Sequence, residues 1–123
     1  MSDIEAYEEE DLKIEIQKTD YLLRMSWLGK CTLKNPSKFL DPIIGNLYAE
    51  SNKSAKKLLF DFTKFTFMNS SAIIPIIKIL KTVRDGRGIV HVHYNKEEKW
   101  QQTLIGELRV FQTDDKRIQI IGV

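Results

Sequence analysis

Apolar and polar residues alternate along several short segments, and this pattern predicts β-strands. Residues 12–17 and 21–29 each place apolar side chains at every second position, as expected of strands with one face in water. The polar run Lys18-Thr19-Asp20 between them is typical of a turn, so the two segments predict an N-terminal β-hairpin. Three further strands are predicted at residues 57–62, 89–94 and 117–123.

Three other segments repeat apolar residues at helical spacing. The first follows Asn35-Pro36, a typical helix start, and predicts a helix over residues 36–50 that bends or restarts at Pro42. A second helix is predicted to follow the cap residues Asn69-Ser70-Ser71 and to end near Arg84, with Pro75 in its first turn, and a third is predicted over residues 96–111.

The predicted order of elements is ββαβαβαβ, which indicates an α/β fold. Strands and helices alternate in the second half, so crossover connections should produce a mixed, mainly parallel sheet. Most of the strands have one apolar face and one polar face, whereas a sheet covered by helices on both sides would be apolar on both. We therefore expect the helices mostly on one face of the sheet.

The chain has an acidic start and a basic body. Residues 1–11 carry six acidic and no basic side chains, while residues 12–123 carry all 19 Lys and Arg side chains against 11 acidic ones. The start has no apolar residues at core spacing, which predicts a flexible tail that is dispensable for folding. We therefore predict one domain over residues 12–123, preceded by a tail that is either simply solvated or a mask for the basic body.

The composition is typical of a soluble globular domain, with 42% hydrophobic and 29% charged residues. The acidic N-terminus lacks the pattern of a secretory signal, and no apolar stretch approaches the ~20 residues of a membrane span. Cys31 is the only cysteine, so no internal disulfide can form. We therefore expect a reducing, cytoplasmic location and no membrane partner.

The segment from Phe60 to Ala72 is the most informative for function. It predicts a strand, a short loop with apolar residues, and then Asn69, Ser70 and Ser71 at a helix start. These three are ordinary N-cap residues. A helix start also concentrates unpaired N–H groups and partial positive charge, so a phosphate attached to a hydroxyl there is well placed. From the residues alone, a structural cap and a phosphorylation site both fit.

This segment resembles the signature of STAS domains, the fold of anti-sigma factor antagonists. Asp61 matches the acid that ends the strand of the signature, and Phe67-Met68 match the apolar pair before its hydroxyl motif. Ser70 matches the serine that a partner kinase phosphorylates in that family, and Ser71 matches its neighbour. The predicted order of elements also fits, so the resemblance extends over residues 12–123.

The chain departs from the signature at Asn69, where the family has Asp, and at Ala72, where it has Gly. A hydroxyl after Asn is similar to a divergent branch of bacterial STAS-like regulatory phosphoproteins. The resemblance implies partner switching and transcription regulation. The unmodified chain would bind a regulatory protein such as an anti-sigma factor or partner-switching kinase, phosphorylation of Ser70 would release it, and a phosphatase would restore binding. Ser70 is then a substrate, and neither catalytic residues nor cofactors are implied.

A partner-binding surface is predicted around Ser70. Its residues are Asn69, Ser70, Ser71, Ile74 and Lys78. Ile74 and Ile79 fall off the apolar stripe that the second helix is predicted to bury, which consists of Ile73, Ile76, Ile77, Leu80 and Val83. Isolated exposed isoleucines are common, but beside a phosphorylation site they also fit a small docking patch.

Other side chains give weaker indications of chemistry. His91 and His93 share a strand face, but no third ligand accompanies them, so no metal site is predicted. Neither a Gly-x-Ser-x-Gly elbow around Ser70 nor a glycine-rich nucleotide loop is present. Aromatic residues fall at core positions instead of among the lysines, so a solvated basic face is predicted and no nucleic-acid partner.

Two other functions are weighed against partner switching. The first is a small-ligand-sensing module that uses the exposed sheet face or a cleft near the third helix. The second is a hydrolase with Ser70 as its nucleophile. Partner binding by the ligand-free protein would favour switching, and turnover abolished by Ser70→Ala would favour the hydrolase.

Overall fold

The computed structural model describes residues 4–123, which form a single mixed sheet with helices against it. The strands are β1 (Ile4–Glu9), β2 (Leu12–Lys18), β3 (Leu22–Cys31), β4 (Lys57–Asp61), β5 (Phe65–Met68), β6 (Val90–Tyr94) and β7 (Ile118–Gly122). The helices are α1 (Pro36–Ser54), α2 (Ile73–Asp85) and α3 (Lys99–Leu104), with 3-10 helices at Ser70–Ala72 and Gly106–Phe111.

The sheet is mainly parallel, as the order of elements predicted. Its strands lie in the order β1-β2-β3-β4-β6-β7, and β5 pairs with the far end of β3. The β1/β2 and β2/β3 pairs are antiparallel, whereas β3/β4, β4/β6, β6/β7 and β3/β5 are parallel. The predicted hairpin is the β2/β3 pair, so this part of the prediction is confirmed.

The helices pack on one face of the sheet, which confirms the predicted arrangement. Register aligns Met25 with Phe60 and Phe60 with Val92, so the buried residues of successive strands form continuous rows. These rows belong to the same core cluster as the buried residues of α1, α2 and the Gly106–Phe111 helix. On the opposite face Arg24 and His91 are half-buried, and Leu59, which is the register partner of both, is buried. We call this the open face of the sheet.

Residues 4–9 correct the expected flexible tail, because they form β1. The strand pairs with β2 from Ile4 opposite Gln17 to Glu9 opposite Leu12, and Glu5 makes an ion pair with Lys18 at 3.2 Å. All six of its side chains are exposed. Backbone pairing holds this edge strand without burial, so no apolar periodicity marks it in the sequence. Residues 1–3 of the predicted tail lie outside the described residues, and dispensability for folding stays a prediction.

Four other elements differ from the sequence prediction. The helix expected over residues 96–111 is divided at Ile105 into α3 and a 3-10 helix, and β5 was not predicted as a strand. Ile79 is buried, not exposed, because the buried stripe of α2 runs through Ile76, Ile79, Leu80 and Val83, while Ile73 and Ile77 are only partly buried. Helix α1 continues through Pro42 without a break and ends at Ser54.

Gly45 lies inside α1 with its missing side chain directed into open space. A Cβ added there would meet no atom within 4 Å. Glycine in a helix costs about 0.5–1 kcal/mol relative to alanine because of its backbone entropy. Gly45→Ala should therefore raise the free energy of unfolding by about that amount, as measured by urea denaturation. A loss of stability would show that α1 needs flexibility at this residue.

Candidate functional site

Ser70 lies at the surface, at the junction between the sheet and α2. It follows β5 after a single residue and begins the 3-10 helix that continues into α2. Its side chain is exposed, while Met68 before it and Ala72 after it are buried. The buried neighbours fix the backbone on both sides, so the hydroxyl is presented on an ordered segment.

The side chain of Asn69 holds this junction together. Its Oδ1 accepts hydrogen bonds from the backbone N–H of Ala72 and from the hydroxyl of Ser71, both at 3.2 Å. Its Nδ2 donates to the carbonyl oxygen of Leu33 at 2.9 Å, and its own N–H donates to the carbonyl of Cys31 at 3.0 Å. Asn69 therefore caps the 3-10 helix and also ties it to the loop after β3.

The contact with Leu33 gives a physical reason for Asn in place of the Asp of the STAS signature. A carboxylate could accept the Ala72 bond but could not donate to the Leu33 carbonyl, and would face that oxygen with like partial charge. Asn69→Asp should lower the free energy of unfolding by about 1–2 kcal/mol, as measured by chemical denaturation. Asn35→Asp is the matched control, since the Asn35 side chain makes no cap hydrogen bond to α1. Equal losses of unfolding free energy in the two variants would show that the hydrogen bond from Asn69 to the Leu33 carbonyl does not contribute to stability.

Two members of the predicted partner surface lie on α2. Ile74 is exposed (50%), as predicted, and lies about one helical turn beyond Ser70. Lys78 lies one turn further, but its amino group is already engaged. It makes an ion pair with Asp41 at 2.5 Å and a hydrogen bond to Ser37 at 3.3 Å. Since these contacts tie α2 to α1, Lys78 is less available to a partner than the sequence indicated.

An apolar groove lies beside β5, the strand that leads to Ser70. It has a volume of about 410 Å³ and is lined by Phe67, Met68, Lys99, Trp100, Thr103 and Leu104. Phe67 is 47% exposed, and the Trp100 ring packs edge-on against Phe65, with ring centroids 6.1 Å apart. The groove lies where a cleft near the third helix was considered for the ligand-sensing alternative, but its lining residues could not be identified from the sequence. No sequence signal marked the groove, since Phe65-Thr66-Phe67 alternates as a strand with Phe67 buried would, and only the structure shows Phe67 exposed.

Gln101 is the buried polar residue that positions α3 beside this groove. Its side chain is fully buried, and Nε2 donates to the carbonyl oxygens of Phe62 at 2.8 Å and Phe65 at 2.9 Å. Its Oε1 accepts from the backbone N–H of Asn95 at 2.7 Å. One amide therefore fastens α3 to the β4–β5 loop that leads to Ser70.

His91 and His93 are two residues apart on β6 and therefore share the open face, as predicted. Burial lowers the pKa of both His91 and His93; Lys57 lowers the pKa of His91 further, while Asp61 opposes the shift at His93. Asp61 itself accepts hydrogen bonds from the N–H and hydroxyl of Thr63, at 2.9 and 2.6 Å. Within residues 4–123, no group of three or more His, Cys, Asp or Glu side chains is arranged to hold a metal ion.

Comparison with known proteins finds structural likeness only. No protein-family model matches the chain, and no curated protein matches it in sequence. Among solved structures, SiaC of Pseudomonas aeruginosa superposes with a TM-score of 0.65 at 16% identity, covering 98% of this chain and 97% of that one. The complex of diguanylate cyclase SiaD with its activator SiaC, from the same organism, gives a TM-score of 0.64 at 19% identity, over 94% and 98% of the two chains.

The fold of this chain is therefore the fold seen in SiaC, and it agrees with the mixed α/β arrangement that the STAS resemblance implied. Among the helices of residues 4–123, none has the length and apolar character needed to cross a membrane.

Proposed function

We propose that this chain is a regulatory protein-binding module whose binding is controlled by reversible phosphorylation of Ser70. One observation carries the proposal: an exposed hydroxyl lies on a short ordered segment between two exposed apolar residues, with Phe67 three residues before it and Ile74 four residues after it. Exposed apolar groups next to each other on an ordered surface are typical of a protein-binding site. A hydroxyl among them is accessible to a kinase and would be covered by a bound partner.

The physical chemistry of phosphate makes this arrangement a switch. Phosphorylation adds about 1.5–2 negative charges at neutral pH. Water can solvate that charge in the free chain because Ser70 is exposed. A partner packed against Phe67 and Ile74 would have to remove this water. Modification of Ser70 should therefore act on binding and leave the fold intact.

The partner we propose is another regulatory or signalling protein. SiaC is the activator of a diguanylate cyclase, and its fold is that of this chain. An enzyme of that class is therefore one candidate, and the STAS resemblance favours an anti-sigma factor or a partner-switching kinase as others. A kinase and a phosphatase acting on Ser70 complete the proposed cycle.

An affinity pull-down with variants of Ser70 tests this function. The baits are the unmodified chain, Ser70→Ala, Ser70→Asp and, as control, Ser54→Asp, an exposed serine at the far end of α1. Mass spectrometry should find a protein that the first two baits and the control retain and that Ser70→Asp loses. Identical sets of bound proteins on all four baits would contradict the switch.

The ligand-sensing alternative also has an observation in its favour, the groove of about 410 Å³ beside α3. Its volume is within the range of small-molecule sites, roughly 300–1,000 Å³. The two functions differ in whether partner binding needs a small molecule. Retention of the partner by purified, dialysed protein favours the switch.

A further inference from the structure

The groove beside Ser70 is apolar along its walls and basic at its margins. Five of its six lining residues carry no charge, and the sixth is Lys99, which is exposed. Lys99 makes no ion pair with any residue between 4 and 123. The groove therefore presents an apolar slot with an uncompensated positive charge at its rim.

Two more lysines approach from the neighbouring strand and its loop. Lys30 of β3 is the register partner of Phe67, and its ion pair with Asp11 is long, at 3.9 Å, and exposed. Lys34 is exposed and follows Leu33, whose carbonyl binds Asn69. Within the described part of the chain, Lys34 has no acidic partner either. Of the three lysines near the segment from Phe67 to Ser70, Lys34 and Lys99 thus have no acidic partner within residues 4–123, and Lys30 has Asp11.

We infer that the groove binds a partner segment in which one or two large apolar side chains are flanked by Asp or Glu. This inference rests on the proposed protein-binding function and specifies the chemistry of its partner. The apolar side chains would fill the slot between Phe67, Trp100 and Leu104. The flanking carboxylates would face Lys99 and Lys34. A basic segment would instead place like charges against the rim, which weakens and slows association.

The same lysines connect the groove to the switch. A phosphate on Ser70 would lie next to the lysines that the acidic segment uses. It would attract their amino groups and repel the carboxylates of the segment, so both effects oppose binding. Charge reversal at the rim should therefore reproduce part of the effect of phosphorylation.

Selection from a phage-displayed library of random peptides tests the inference. The bait is the unmodified chain, and the selected peptides are then synthesised and their affinities measured by fluorescence polarisation. We expect enrichment of peptides that combine Leu, Met, Phe or Trp with Asp or Glu. Thr103→Trp, which fills the groove from an exposed position, should weaken their binding about tenfold or more. Lys99→Glu should weaken it about fivefold to tenfold.

Lys53→Glu is the matched control, because Lys53 is an exposed lysine at the far end of α1. It should leave affinity within about twofold. Thermal unfolding of each variant shows whether its fold is intact. Enrichment of basic or uncharged peptides, selection of none, or equal binding by Thr103→Trp and the unmodified chain would overturn the inference.

The inference and the proposed function can fail separately. Acidic-apolar peptides that bind Ser70-phosphorylated and unmodified protein equally would support the groove and contradict the switch. A natural partner that phosphorylation releases, but whose binding Thr103→Trp and Lys99→Glu do not change, would support the switch and contradict the groove.

Discussion

Phosphorylation of Ser70 should lower the affinity for the partner by at least about 100-fold while changing the free energy of unfolding little. The first part follows from desolvation. A partner seated on Phe67 and Ile74 would remove water from the phosphate, and an acidic partner segment would bring no counter-charge to replace that water, so the loss of solvation costs several kcal/mol. Every 1.4 kcal/mol of that cost is tenfold in the dissociation constant. The second part follows from the exposure of Ser70, which leaves the phosphate in water in the free chain.

Calorimetric titration of the pulled-down partner with unmodified and enzymatically phosphorylated chain measures the first part, and thermal unfolding measures the second. Ser70→Asp should give a smaller loss of affinity, because a carboxylate carries less charge than a phosphate. Ser70→Ala should bind nearly as the unmodified chain does. Equal affinities of the phosphorylated and unmodified chains would contradict the switch and show that Asn69-Ser70-Ser71 is only a structural cap.

Gln101→Met should cost about 3–5 kcal/mol of folding free energy. The substitution keeps the approximate volume of the side chain but removes three hydrogen bonds, to Phe62, Phe65 and Asn95. The Phe62 carbonyl keeps its hydrogen bond from the Phe65 N–H, but the Phe65 carbonyl and the Asn95 N–H lose their side-chain partner, and each buried polar group left unsatisfied costs about 1–3 kcal/mol. Breaking a buried hydrogen-bond network is one of the few kinds of single substitution with an effect of this size. Urea denaturation followed by circular dichroism measures it.

Gln102→Met is the control for Gln101→Met. Gln102 is the next residue of α3 and is exposed, with a side-chain hydrogen bond to the carbonyl of Lys96. Its substitution should change the free energy of unfolding by less than about 1 kcal/mol. If both variants lose the same amount of stability, α3 is held by its apolar residues alone, and the amide of Gln101 does not fasten it to the β4–β5 loop.

The covered face of the sheet could be predicted from the sequence because burial there is periodic. The alternation of residues 12–17 and 21–29 identified the hairpin of β2 and β3, and the same alternation in later strands indicated helices on one face. The position of Ser70 could also be predicted, since a cap cluster after a strand is a local feature of the chain. Its exposure agrees with the proposed site.

The elements that the sequence did not reveal depend on tertiary contacts. Strand β1 is held by its backbone pairing to β2 and buries no side chain, so its residues have no strand periodicity in their burial. The groove requires Phe67 and Trp100 to meet, although 33 residues separate them in the chain. The start of the second helix also differs from the prediction. Asn69 caps a 3-10 helix that begins at Ser70, and α2 itself begins only at Ile73. Ile79, which sequence spacing had placed outside the core, is buried because α2 packs the side that carries Ile76, Ile79, Leu80 and Val83 against the core, and that choice of side depends on tertiary packing.

Hydrogen exchange of the chain with and without its partner tests the central claim most directly, namely that the surface around Ser70 is where the partner binds. The complex should slow amide exchange in two stretches, residues 67–77 and residues 99–104. Exchange in β6 and β7, beneath the open face of the sheet, should be unchanged. Protection confined to β6 and β7, with none in residues 67–77 or 99–104, would place the partner away from Ser70 and contradict the account.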